Sequence, residues 1–102
     1  MKNKVYVKVY RVSGEVMVAM CDEEVLGVKV REGDIILDVN PSFYKGTLMD
    51  VEDAVKILDE ATIANIVGEN SVRLAVENGI VHKDSVIYVS GVPHVQLVKM
   101  RY

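Results

Sequence analysis

Cys21 and Asp22 are adjacent, and the two histidines, His82 and His94, lie far downstream. A thiol beside a carboxylate, with an imidazole brought in from elsewhere, is the raw material of an activated cysteine nucleophile. A lone cysteine near a strand end is also what a small buried apolar residue looks like. The histidines stand twelve positions apart with no second cysteine, so the four ligands of a structural zinc site are not at hand. Asp22, Glu23 and Glu24 form an acidic run that offers oxygen ligands to magnesium or, more simply, makes a solvated turn. The seven glycines occur singly, with no phosphate-cradling GxGxxG or GxxxxGK pattern. The expectation is no catalytic residue, no metal and no cofactor.

Two other groups remain. Lys2, Lys4, Tyr6, Lys8 and Tyr10 alternate with Val5, Val7 and Val9, so a strand puts the lysines and tyrosines on one face. Lysines can neutralise phosphates while the rings stack on unpaired bases, which makes single-stranded RNA a candidate partner. An ordinary solvent face of a strand looks the same, and lysine on an edge blocks aberrant pairing. The second group lies in "GVPHVQLVKM", Gly91 to Met100. Pro93 has no N–H, so regular pairing is expected from about His94. His94, Gln96, Val98 and Met100 then share one face, opposite Val95 and Leu97. Two polar side chains heading an apolar face imply a satisfied network or the lining of a cleft.

The elements that must position these groups follow from periodicity. Valine dominates, with 21 against 6 leucines, and its branched side chain suits a pleated sheet. Lys4 to Val12 is a half-buried strand, and Ser13-Gly14-Glu15 turns it into a second strand over Val16 to Met20. An acidic helical turn is expected in Cys21 to Gly27, then two short strands, or one bent one, at Val28 to Val30 and Asp34 to Asn40. Asn40-Pro41 ends that ladder. The loop Ser42 to Gly46 carries Phe43 and Tyr44 as either an exposed contact pair or a lid on the core. A helix begins near Asp50, with Val51, Ala54, Val55, Leu58, Ala61 and Thr62 at helical spacing and Asn65 next on that stripe. A second helix follows Glu69-Asn70-Ser71, turning Val72, Ala75 and Val76 inward and stopping at Asn78-Gly79. Strands at Val86 to Ser90 and His94 to Met100 complete the order.

This order predicts an α+β fold: a largely antiparallel sheet of five to six strands with a helical pair packed on one face. An OB-like barrel is the alternative, although about 29 residues of helical pattern is long for its single helix. The 102 residues leave room for one compact domain. Half the residues are apolar and 26% are charged, as in globular chains. A net charge of -3 gives no general attraction to nucleic acid or anionic membrane. One cysteine cannot form an internal disulfide, and no run approaches the roughly 20 apolar residues of a membrane span; a cytoplasmic protein is expected.

The succession "CDEEVLG" (21 to 27), "REG" (31 to 33), "FYKG" (43 to 46), "ATIANIVGENSVRLAVENG" (61 to 79) and "GVPHVQLV" (91 to 98) resembles the small archaeal family called domain of unknown function 424. The resemblance covers nearly the full length, with Met-Lys-Asn-Lys as an added extension. It implies a cytoplasmic archaeal protein with one compact α+β domain and brings no activity or cofactor with it. The segments that carry it contain Cys21, Asp22, Asn65, His94 and Gln96.

Three functions stay open. One is a small non-enzymatic binding module in an RNA or ribonucleoprotein, translation-related context, using Lys4, Tyr6, Lys8 and Tyr10 or the cleft near His94. Another is a small-ligand binder or enzyme with a polar pocket around Asn65, His94 and Gln96, joined by Cys21 and Asp22. The third is a protein-interaction or homo-oligomeric scaffold, such as a homodimer, that pairs through an exposed strand edge.

Overall fold

The computed structural model describes residues 4–99. Alternation from Lys4 to Tyr10 builds most of β1 (Lys4–Val12), and β2 (Glu15–Asp22) returns against it in antiparallel register. Ser13 and Gly14 join them with φ of 50° and 81°, the left-handed pair that matches the twist of a tight hairpin. A 3-10 turn at Glu23–Val25 leads to a separate two-stranded hairpin, β3 (Lys29–Glu32) and β4 (Ile35–Asp38). Asn40 accepts a hydrogen bond from the Ser42 amide and Pro41 fills the first position of a one-turn helix, α1 (Pro41–Tyr44), as both residue types favour. The next strand, β5 (Thr47–Asp50), pairs with the first half of β1. Then come α2 (Val51–Leu58), β6 (Ile63–Val67), α3 (Glu69–Glu77), a 3-10 turn at Lys83–Ser85, β7 (Ile87–Val89) and β8 (Val92–Val98).

The main sheet has the order β5-β1-β2-β6-β8-β7, mostly antiparallel, with β2 and β6 parallel. The fold is therefore α+β, with six strands in the main sheet. β5 and β7 are its two ends, and an open six-strand order of this kind is not the five-stranded barrel of an OB fold.

Two apolar clusters lie on its two faces. On one, Val5, Val7, Val18, Met20, Ala64, Ile66 and Val95 of the sheet share a cluster with Val51, Ala54 and Leu58 of α2 and Val72 and Ala75 of α3. On the other, Ala19, Cys21, Val67 and Val89 lie under Leu37, Val39 and Tyr44, so the small hairpin and α1 act as a cover. Phe43 and Tyr44 thus form a lid: Tyr44 is buried, and Phe43 stacks on Tyr10 at 5.4 Å between ring centroids.

The structure corrects the first helix. It ends at Leu58, and Ala61 to Val67 belong to a turn and β6 rather than to a longer helix. Ala64 and Ile66 face α2 and α3 while Val67 faces the hairpin. A central strand covered on both faces is apolar on both, and that erases the period of two. Thr62 marks its start, accepting from the Val16 amide at 2.9 Å and donating to the Val16 carbonyl at 3.1 Å. β5 was not expected. β8 starts at Val92 with Pro93 inside it. Pro93 supplies only its carbonyl, to the Gly68 amide, while the Gly68 carbonyl accepts from Val72; no ladder bond is lost at the proline.

Candidate functional site

Register places the three polar candidates on the hairpin side of the sheet. Asn65 of β6 stands opposite Gln96 of β8, and Val67 stands opposite His94. Asn65 therefore reaches its partners from the neighbouring strand rather than from a helix. The Gln96 amide Nε2 donates to Asn65 Oδ1 at 2.9 Å. Among the described residues, that bond leaves the Asn65 NH2 group and the Gln96 carbonyl open to another partner. Gln96 is exposed and Asn65 half-buried.

His94 Nδ1 lies 3.1 Å from the Ile66 carbonyl. A carbonyl only accepts, so in the neutral ring Nδ1 carries the proton and Nε2 remains an acceptor. Burial lowers the His94 pKa below 6.5, and the Ile66 hydrogen bond opposes that shift without overcoming it. A shallow depression of about 250 Å³ beside the ring is lined by Ser85, Ile87, His94, Val95 and Gln96.

Cys21 and Asp22 do not join this group. Cys21 is fully buried beneath the cover formed with Tyr44. Burial, followed by the neighbouring Asp22 charge, pushes its thiol up to about 12, so it is not a thiolate nucleophile at neutral pH. Asp22, next along β2, turns to the opposite face and is fully buried there. Its carboxylate accepts from the Asn70 amide at 2.9 Å, the Ser71 amide at 2.8 Å and the Ser71 hydroxyl at 2.6 Å. Asp22 is thus a cap for α3 supplied from a distant strand, meeting orphan N–H groups and the positive end of the helix dipole.

The lysine and tyrosine face of β1 is already engaged. Lys4 pairs with Asp50 at 2.9 Å. Lys8 Nζ donates to the Ser42 carbonyl at 3.0 Å and sits 5.4 Å from the Tyr10 ring centre. The Tyr10 hydroxyl donates to the Phe43 carbonyl at 2.7 Å, and Tyr6 packs into the cluster under the cover. Lys8 and Tyr10 fasten α1 to the sheet, and Lys4 ties β1 to the end of β5. Lys2 and Met100 lie outside the described residues.

Ile87 and Val98 flank the polar group and are large exposed apolar residues, 45% and 66% accessible. The alternation in "VQLV" carried the signal for Val98. Ile87 needed knowledge that β7 is a sheet end.

A family model described as a protein of unknown function (DUF424) matches residues 10–100. The chain belongs to the DUF424 family. This DUF424 protein is also similar to an uncharacterized conserved protein from Methanopyrus kandleri, known from a crystal structure. The two are 26% identical, with a TM-score of 0.71 over 97% of this chain and 96% of that one. No curated protein matches the DUF424 chain. Among its described residues no helix is long and apolar enough to cross a membrane, and no group of three or more His, Cys, Asp or Glu is placed to hold a metal.

Proposed function

We propose that this DUF424 protein is a non-enzymatic, protein-binding module of the cytoplasm that takes up an extended segment of a partner along the outer edge of β8. One observation carries this reading. β7 pairs with β8 only from Val92 to His94, whereas β8 continues to Val98. The Gly68 amide bonds to the Pro93 carbonyl and the Lys99 amide to the Thr62 carbonyl. Odd-numbered residues of β8 therefore turn their backbone towards β6, and Gln96 and Val98 turn theirs outward.

An outward N–H and C=O pair on two alternate residues is a template for a further strand. The exposed Val98 and Ile87 offer apolar surface to such a strand, and the Asn65–Gln96 amides offer one donor and one acceptor group beside it. RNA has less support: the net charge is -3, and Lys4, Lys8 and Tyr10 hold internal contacts where phosphates and bases would need them.

Capture from native lysate, with and without ribonuclease, tests the reading. Wild type should retain a ribonuclease-resistant protein that Val98→Glu loses and that Lys4→Ala with Lys8→Ala keeps. Capture that collapses with ribonuclease and with the lysine pair assigns the function to RNA instead. Light scattering that shows a dimer dissociated by Val98→Glu would make a second copy of the chain the occupant.

A further inference from the structure

On the helix side of the sheet, a groove of about 380 Å³ runs between α3 and the free end of the sheet. Val72 and Val76 of α3, Val86 and Pro93 form apolar walls, and Tyr88 of β7 stands at its mouth, 60% accessible. Its volume is near the lower end of the roughly 300–1,000 Å³ of ligand clefts. Its apolar walls suit a bulky apolar side chain. Charge points the same way: Glu69, Glu77, Arg73 and Lys83 all line the groove, so no net charge of either sign selects an ionic ligand.

The strand beside the groove has backbone to offer. β7 terminates the sheet order, with Ile87 opposite His94, Tyr88 opposite Pro93 and Val89 opposite Val92. The Pro93 carbonyl is turned to Gly68 on the other side, so the bonded pairs are those of Ile87 and Val89. Tyr88 consequently directs its N–H and C=O away from the sheet. Ile87-Tyr88-Val89 carries neither the lysine nor the proline that guard many edges; it is three residues long, and the β3–β4 hairpin touches it from the face opposite the groove.

From this juxtaposition we infer that the β7 edge and the α3 groove form one peptide-binding site. An extended peptide pairs with the Tyr88 backbone, and the residue opposite Tyr88, which must point to the same face, drops a bulky apolar side chain between Val72, Val76 and Val86. Main-chain bonds fix the segment and the groove reads one side chain. The site lies on the opposite face of the sheet from Asn65 and Gln96, so it does not depend on the β8 reading.

Selection of a random twelve-residue peptide library, displayed on phage, against the full-length chain tests this. The expected result is a consensus with one Leu, Ile, Met or Phe between β-forming neighbours. Binding of the selected peptide should weaken about tenfold on Tyr88→Pro, which removes the outward N–H, and at least as much on Val86→Glu. Methylating the peptide's own backbone nitrogen at the consensus residue should weaken binding on the unaltered protein, a readout that requires no variant to fold. No consensus, or a selected peptide that binds both variants as tightly as wild type, overturns the site. A peptide lost by Val98→Glu but kept by Tyr88→Pro and Val86→Glu also overturns it and assigns peptide binding to β8.

Discussion

Asp22 occupies the space that a side chain at residue 68 would need: a Cβ on Gly68 would lie 2.5 Å from Asp22 Cγ and 2.8 Å from Oδ1. Gly68 also holds φ at +110°, a region that residues with a Cβ rarely adopt. The glycine lets a strand carboxylate come close enough to cap α3, so the two residues act as one joint between β2 and the β6–α3 turn.

Gly68→Ala should therefore destabilise the protein by about 2–4 kcal/mol, from the strained φ and the overlap together. Asp22→Ala strands the Asn70 and Ser71 donors and should cost about 2–3 kcal/mol. In urea titrations the double variant should cost less than the sum, because removing the carboxylate relieves the overlap. Strict additivity would show that the two residues are not coupled.

A buried pair under the cover contributes to alkaline stability. Burial, then Cys21 and Asp38, raises the Tyr44 pKa from 10.0 to about 12, and Cys21 rises from 9.0 to about 12. Both groups hold their protons more tightly when folded, so their contribution is complete below about pH 9 and is lost as pH rises towards 12. Urea midpoints should fall through that window. A disulfide reagent at pH 8 should label Cys21 slowly in the native protein and at once in denaturant.

His94 carries the opposite sign. Its folded pKa is lowered below 6.5, so the unfolded chain takes up a proton first as pH falls. Stability from the neutral ring is complete above pH 6.5 and is lost as pH drops through the folded value. An NMR titration should give a His94 midpoint below 6.5 and, at neutral pH, the tautomer protonated at Nδ1. A midpoint above 6.5 would contradict the burial seen for the ring.

Tyr10→Phe tests whether the tyrosine fastens the cover. Removing the hydroxyl leaves the Phe43 carbonyl without this donor and should lower stability by about 1 kcal/mol. The ring–ring stack with Phe43 persists, so the loss should stay small. Exchange of amides in α1 should speed up in this variant while exchange in α3 is unaffected.

Much of this architecture was legible because one face of each outer element meets solvent. Lys4 to Tyr10 alternates, and the strand runs on through Arg11 to Val12. His94 and Gln96 were readable as same-face neighbours for that reason. What could not be read was β6, whose Ala64, Ile66 and Val67 are all fully buried and so carry no polar phase. Leu58, Ala61, Thr62 and Asn65 also happen to fit helical spacing. Asp22 was hidden differently: its partners, Asn70 and Ser71, are 48 and 49 positions away, and no local pattern announces a cap borrowed from a distant strand.

The parallel β2–β6 pair sets the tempo of folding. Its partners, from Met17 with Ile63 to Cys21 with Val67, are all 46 positions apart, whereas β1 and β2 meet across Ser13 and Gly14. Closing so long a stretch of chain spends entropy before contacts repay it, and non-local pairing slows folding. The β1–β2 hairpin should form early and wait, with the middle of the sheet completed only when β6 docks between β2 and β8. Ala64→Gly should then slow refolding in stopped-flow measurements if docking is the barrier. A change confined to unfolding would place the barrier before β6 arrives.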